Sequence, residues 1–180
     1  MMTVDEAQAE IRHCYGGGGL GMVVSGFVWL AAAFAVSRHG VGPGFAVLFL
    51  GGMLIFPVSA FAERFLLRRP KPNPDNPLGL LALESTIAMI GCLFAAWLFV
   101  PLKPDYVFPI AAIAVGLHYL AFKTVYGDRT YWLLGALMAL VGFGGLYVAA
   151  LGAGMLALAI AGTEIAFGVF VIARERRARA

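Results

Sequence analysis

The sequence predicts an all-α fold, an integral membrane bundle of six transmembrane helices with both termini in the cytoplasm. Three observations support this prediction. The composition is 61% hydrophobic and 13% charged, with a mean hydropathy of +0.87, far from the balance of a soluble domain. Apolar stretches close to the ~20 residues needed to cross ~30 Å of hydrocarbon recur along the chain. When the chain is threaded through a membrane as these spans, 11 of its 13 Lys and Arg residues fall on one side.

The six spans account for almost the whole chain. They are expected at residues 17–37, 43–67, 78–100, 107–125, 130–150 and 152–173. Polar or proline-containing segments separate the first five, whereas only Gly152 and Gly154 mark a turn between the fifth and the sixth. The predicted domain organisation is therefore a cytoplasmic or interfacial segment at 1–16, one transmembrane domain at 17–173 and a basic cytoplasmic tail at 174–180.

The distribution of basic residues indicates the orientation, because short cytoplasmic loops are enriched in Lys and Arg. Only Arg38 and Lys103 lie on the predicted outer side. The predicted cytoplasmic side holds Arg12, Arg64, Arg68, Arg69, Lys71, Lys123, Arg129, Arg174, Arg176, Arg177 and Arg179. A model with five or seven spans would mix the two groups, so the split supports both the number of spans and the location of the termini. The net charge of +3 follows from this pattern and does not indicate nucleic-acid binding.

The N-terminal segment has the features of a short helix. Thr3 and Glu6 have the spacing of a capping box. Ala7, Ile11 and Cys14 follow at helical spacing on one face. This pattern predicts a helix lying on the inner leaflet, with a frayed polar leader as the alternative.

A glycine-rich run at residues 15–19 precedes the first span. It lacks the Gly-Lys-Ser/Thr ending of a phosphate-binding loop. Gly17, Gly21 and Ser25 instead repeat every four residues, and such stripes of small residues allow close contact between helices in lipid. The expected partner is another helix of this chain or, in a homo-oligomer, a second subunit.

Four ionisable side chains lie within the predicted spans, where charges are costly and usually face the bundle interior. At ~1.5 Å per residue, Glu63, Glu84, His118 and Glu164 lie about 6, 9, 10 and 13 Å from the inner ends of their helices. The outer half of the spans has no acidic or basic residue. We therefore expect Glu84, His118 and Glu164 to converge in the bundle interior and to line a cavity that opens to the cytoplasm.

This layer suggests a transporter or permease that binds a small solute or cation. The alternative is a structural or regulatory membrane protein whose polar groups only join helices, with Glu63 next to Arg64 at the surface. An embedded enzyme is a third reading, but the sequence has none of the common hydrolase or zinc motifs and indicates no catalytic residue. It also carries no metal-type spacing and no cofactor motif, and its clearest partner is the lipid bilayer.

The sequence Tyr15-Gly16-Gly17-Gly18-Gly19, followed by 25–30 (SGFVWL), resembles an uncharacterised family of small bacterial multi-pass membrane proteins. The resemblance implies a bacterial inner membrane. It supplies no activity and no site residues.

Overall fold

The computed structural model describes residues 2–147 and 152–178, and every regular element within these ranges is helical. The helices are α1 (Val4–Tyr15), α2 (Gly19–His39), α3 (Val41–Phe61), α4 (Pro77–Leu98), α5 (Pro104–Tyr126), α6 (Thr130–Tyr147) and α7 (Ala153–Arg177). Six helical stretches are long and apolar enough to cross a membrane. The predicted all-α fold with six spans is thereby confirmed, although the turn between the fifth and sixth spans lies outside the described residues.

Helix α1 begins at a capping box, as predicted: the Thr3 side chain accepts from the Glu6 N–H at 3.3 Å, and Glu6 Oε2 accepts from the Thr3 N–H at 2.7 Å. Its apolar face is buried at Ala7, Ile11 and Cys14. A helix lying in a lipid leaflet would leave that face exposed to lipid. In this protein the face packs on the other helices, so α1 covers one end of the bundle, which we call the α1 end.

Side chains on both sides of the interface hold α1 in place. Gln8 donates to the Thr124 carbonyl at 2.7 Å, and Arg12 donates to the Tyr126 carbonyl at 2.5 Å. Asn76, which precedes α4, donates to the Ala7 carbonyl at 3.1 Å. These contacts tie α1 to the C-terminal end of α5 and to the N-terminal end of α4. Both of these helix ends therefore lie at the α1 end of the bundle.

Helices α2 and α7 pack closely, and glycines make the approach possible. A methyl group at Gly26 would lie 3.0 Å from the Ala161 carbonyl oxygen and 2.6 Å from Ile165. A methyl group at Gly168 would likewise lie 2.7 Å from the Gly19 carbonyl oxygen. Small residues thus bring these two helices together, as small residues do in membrane proteins generally.

The predicted stripe Gly17–Gly21–Ser25 contacts α7 only in part. Gly17 does approach α7, since a methyl group there would lie 3.2 Å from Glu175 and Val171. Gly21, however, has no atom within 4 Å of such a methyl group. The prediction that Gly21 packs against another helix of this chain is therefore wrong: Gly21 faces an internal space, whereas Ser25 lies beside Glu164 of α7.

Helix α3 ends in a π-helical turn at Ala62–Leu66. The extra residue of a π turn rotates the side chains that follow. Glu63, in this turn, is buried, with 5% of its surface exposed. Non-helical chain then leads to Asn76, whose side chain accepts from the Leu78 N–H at 3.0 Å and caps α4.

Candidate functional site

A cavity of about 560 Å³ lies between α2, α3, α4 and α5, in the half of the bundle next to α1. Its wall is mostly apolar. The polar side chains that line it include Ser25, Ser59, Glu63, Thr86, His118 and Tyr119. Its size and its few polar groups are typical of a site for a small, largely apolar ligand.

Helices α3 and α4 leave this cavity open at the side. Ring contacts join them away from α1, where Phe49 packs edge-on against Phe94 and Trp97 at centroid distances of 5.2 and 5.4 Å. Toward α1, Phe56 of α3 and Leu83 of α4 line the cavity and are 66% and 54% exposed. Side chains that are both lining and exposed mark an opening, so the cavity is accessible from the bilayer.

Glu164 lies behind the cavity wall, between α7 and α5. Its side chain is fully buried, at 0% exposure. The Tyr119 hydroxyl donates to Glu164 Oε1 at 2.9 Å, and the Ser25 side chain lies beside both groups. Glu164 Oε2 has no hydrogen-bond partner among the described residues. Since Tyr119 lines the cavity, its hydroxyl connects the buried carboxyl group to that space.

His118 lies one residue earlier on α5 and faces the same cavity. Its Nδ1 is 2.8 Å from the Ser85 hydroxyl of α4, a hydrogen bond in which the roles depend on the tautomer. The His118 and Tyr119 rings have centroids 6.0 Å apart. His118 and Glu164 are thus brought into one region, joined through Tyr119.

Glu84 does not join this region. Its side chain is on the exposed face of α4, next to the exposed Leu80 and Leu83. The prediction that Glu84 points inward is therefore wrong, because α4 presents Ser85 and Thr86 to the cavity side and turns Glu84 away.

Glu63 is an interior residue, in contrast to the surface pairing with Arg64 considered from the sequence. Its Oε2 lies 2.5 Å from Arg69 Nε. Arg69 also donates to the His13 carbonyl at 2.9 Å, which ties this ion pair to α1. No sequence pattern identifies this partner, since the π turn and the chain after it determine which basic side chain reaches Glu63.

Another ion pair joins the loop after α5 to α7. Arg174 contacts the Asp128 carboxylate, which also accepts from the Thr130 N–H at 2.9 Å. Burial acts to raise the pKa of Asp128, but the hydrogen bonds from Arg174 and Thr130 outweigh it and hold the pKa below its ordinary value. This pair fixes the end of α7 against the loop that precedes α6.

The arrangement can bind a polar group or pass a proton. Among the described residues, no three His, Cys, Asp or Glu side chains are grouped to hold a metal ion. Tyr119, which the sequence analysis does not single out, lies at the centre of the site. Its position beside His118 was the available signal.

Six membrane-spanning helices around an internal cavity define a multi-pass membrane protein. The chain belongs to a family of unknown function, DUF7010, which it matches over residues 4–174. This membership confirms the predicted relationship to an uncharacterised family. None of the curated proteins and none of the solved structures compared with the chain matches it.

Proposed function

We propose that the protein is a membrane carrier that binds a small solute in the cavity between α2 and α5. One observation carries the proposal: a fully buried carboxyl group, Glu164, has one oxygen bound by the cavity-lining Tyr119 and the other without a hydrogen-bond partner among the described residues. Buried polar groups are normally satisfied, and exceptions call for an explanation. A carrier supplies one, because the second oxygen can take up a proton while Tyr119 links the carboxyl group to the cavity.

The cavity supports the same proposal. A carrier needs a cavity large enough to hold its solute. This cavity has a volume of about 560 Å³ and is lined by polar side chains from several helices. His118 and Ser25 add hydrogen-bonding capacity next to Tyr119. We further propose that the α1 end faces the cytoplasm of a bacterial cell, with the protein in the inner membrane, because the basic residues concentrate at that end.

A structural role is the second candidate. The bond between Tyr119 and Glu164 also joins α5 to α7, and Tyr131 donates to the Gly17 carbonyl at 2.6 Å across the same end of the bundle. Interhelical hydrogen bonds of this kind contribute roughly 0.6 to 2 kcal/mol each in membrane proteins. In that case the cavity would be closed to water and the polar groups would serve helix packing alone.

Cysteine accessibility separates the two candidates. After Cys14→Ser and Cys92→Ser, a single cysteine is placed in the cavity by Ser59→Cys, or in a packed position by Ala112→Cys, which is 0% exposed. Each protein is reconstituted in zwitterionic lipid and treated with an impermeant methanethiosulfonate reagent, in vesicles of either orientation. A carrier exposes its site to both sides in turn, so Ser59→Cys reacts from both sides and Ala112→Cys from neither. Absence of reaction at Ser59→Cys from both sides would favour the structural role.

A further inference from the structure

A second, smaller pocket of about 320 Å³ adjoins the cavity at the α1 end, where α3 passes into the proline-rich loop. Three basic side chains line it, from Arg64, Arg69 and Lys71. Arg69 is already bound to Glu63. Arg64 and Lys71 form no ion pair within the described part of the chain. The pocket therefore has two positive charges available for a ligand.

The basic pocket and the apolar cavity share part of their walls. Tyr15, Glu63 and Pro72 line both spaces. A ligand with its head between Arg64 and Lys71 could therefore place an attached chain in the cavity without crossing a packed layer of helices. Charge and polarity change along this path as they do along a lipid, from an anionic headgroup to hydrocarbon.

The way into this site lies in the bilayer. All of the buried residues of α3, which are Gly44, Phe45, Leu48 and Phe49, are in the half remote from α1. In the half nearest α1 no residue of α3 is buried, and the facing part of α4 is exposed at Leu80 and Leu83. A molecule in the adjacent leaflet can consequently enter between these two helices. The cavity volume of about 560 Å³ lies within the roughly 300–1,000 Å³ of ligand pockets, and its mostly apolar wall suits a hydrocarbon chain.

We infer that the two spaces together bind an anionic lipid, with its phosphate between Arg64 and Lys71 and one hydrocarbon chain in the cavity. The inference rests on the proposed function in that it assigns a ligand class to the same cavity. Both basic side chains can contact phosphate oxygens, Arg64 through two parallel N–H groups and Lys71 as a point charge. Gly21 and Gly52, which leave open space where a side chain would stand, make room for the chain.

Trp29 reports whether a chain is present. It lines the cavity and is 1% exposed, so lipids outside the protein do not reach it. With Trp97→Phe and Trp132→Phe, it is the only tryptophan of the chain. Bromine atoms quench tryptophan fluorescence on contact. The probe is phosphatidic acid with brominated chains, diluted into phosphatidylcholine vesicles that contain the protein.

Quenching of Trp29 is expected at a low fraction of brominated phosphatidic acid. The double variant Arg64→Gln with Lys71→Gln should raise the half-quenching fraction about 30-fold, the effect of losing two basic contacts of ordinary strength. Arg64→Lys with Lys71→Arg keeps the charges and should keep the quenching. Gly21→Leu should abolish quenching, because the added side chain occupies the cavity while the basic pocket is unchanged. Thermal unfolding of each variant confirms that it is folded.

A matched control removes the same charge elsewhere at the same end. Arg176 and Arg177 lie in the last turn of α7, outside both spaces. Arg176→Gln with Arg177→Gln should leave quenching unchanged, and an equal loss in this variant would overturn the site in favour of general attraction to the membrane. Equal quenching by brominated phosphatidylcholine, whose phosphate charge is balanced, would overturn the role of the basic pocket. Displacement of the lipid by inorganic phosphate at matched ionic strength would assign the pocket to free phosphate instead.

The outcome is separable from that of the proposed function. If Ser59→Cys reacts in zwitterionic vesicles but Trp29 is not quenched, the cavity carries a solute other than a lipid and this inference fails alone. If Trp29 is quenched while Ser59→Cys is unreactive from both sides, the lipid is a fixed component of the fold and the carrier proposal fails alone. If both hold, phosphatidic acid should slow the reaction at Ser59→Cys by occupying the same space.

Discussion

Glu164 has an environment that differs from those of the other acidic side chains in the spans. Glu63 has Arg69 as its counter-ion, and Glu84 lies on the outer face of α4. Glu164 is fully buried, and the contacts described around it come from hydroxyl groups, those of Tyr119 and Ser25. These hydroxyls can reorient, whereas a counter-ion would hold the carboxyl group in a single state. This is the property that a site for a proton or a passing polar group requires.

Glu164→Gln should therefore abolish transport and leave the fold in place. The amide oxygen can still accept from Tyr119, but the amide cannot take up and release a proton. The measurement is proton uptake into vesicles with an entrapped pH-sensitive dye, driven by a potassium diffusion potential. Glu84→Gln is the control, since it makes the same change on the outer face of a neighbouring helix. Equal uptake by the Glu164→Gln protein and the unsubstituted protein would contradict a role in proton movement.

Asp128 provides a residue-scale prediction for pH. Its pKa is lowered in the folded protein, so folding is favoured by the charged form. The contribution of the Asp128 carboxylate to the stability of the folded protein is fully present above the unfolded-state pKa of about 3.9. This contribution is lost as the pH falls through the lower folded-state pKa. Asp128→Asn should cost about 1 kcal/mol at neutral pH, a modest amount because the Arg174 side chain is 38% exposed.

The check is the melting temperature in detergent across a pH series. The gap between Asp128→Asn and the unsubstituted protein should be widest near neutral pH and should close in acid. Asp75→Asn is the control, because Asp75 is exposed and forms no ion pair within the described residues. A gap that persists in acid would mean that Asp128 acts through its shape and hydrogen bonds to Thr130 and not through its charge.

At the scale of elements, α2 has two faces with different tasks. One face carries Gly26, which allows contact with the backbone of α7, and the other carries Gly21, which faces open space. Gly26→Ala should destabilise the protein by roughly 1–3 kcal/mol, because its methyl group would overlap Ile165. Gly21→Ala should be neutral or stabilising by up to about 1 kcal/mol, because alanine favours the helix and meets no neighbour. Thermal unfolding of the two variants measures the difference, and equal losses would place Gly21 in a helix contact after all.

These two glycines also show how far the sequence could predict the fold. The spans and the helix at the N-terminus follow from apolar length and from the capping box, which are local properties of the chain. Which face of α2 meets α7 is decided by the complementary glycine at position 168, and no pattern within α2 records that pairing. A repeat of small residues therefore predicts that close packing occurs, but it does not choose among the glycines on the helix.

The same limit applies to the candidate site. Depth along each span could be predicted from the sequence, so His118 and Glu164 were placed in one layer. The rotation of each helix about its axis could not be predicted from the sequence. Helix α4 carries Glu84 and Ser85 side by side, and only packing determines which of them faces the interior. The partner of Glu63 was also beyond prediction, since a π turn changes the rotation of the chain just where the ion pair with Arg69 forms.

At the scale of the whole molecule, the bundle combines tightly and loosely packed parts. Helices α2 with α7 and α5 with α6 approach through glycines. Helices α3 and α4 leave the cavity open between them at the α1 end, and α1 covers that end as a separate short helix. Movement of α4, whose glycines Gly79 and Gly91 approach no other helix, would change access to the cavity without disturbing these pairs. The proposed carrier function would use this division between a fixed frame and a moving part.

The orientation of the molecule in the membrane is the remaining prediction at this scale. The loops after α3 and α5 meet α1 at one end, so their basic residues share that end with Arg174 of α7. Arg38, in the last turn of α2, and Lys103, at the N-cap of α5, lie at the opposite end. Because Lys and Arg are retained on the cytoplasmic side, the α1 end should face the cytoplasm.

Single cysteines test this orientation in a protein without Cys14 and Cys92. Lys103→Cys and Arg38→Cys should react with an impermeant thiol reagent added to intact cells. Asn73→Cys, which lies in the exposed loop at the α1 end, should react only after the cells are opened. An outside label on Asn73→Cys would reverse the orientation. The basic pocket, which is lined by residues of the same loop, would then face the outer leaflet. The lipid proposed to bind there would have to come from the outer leaflet.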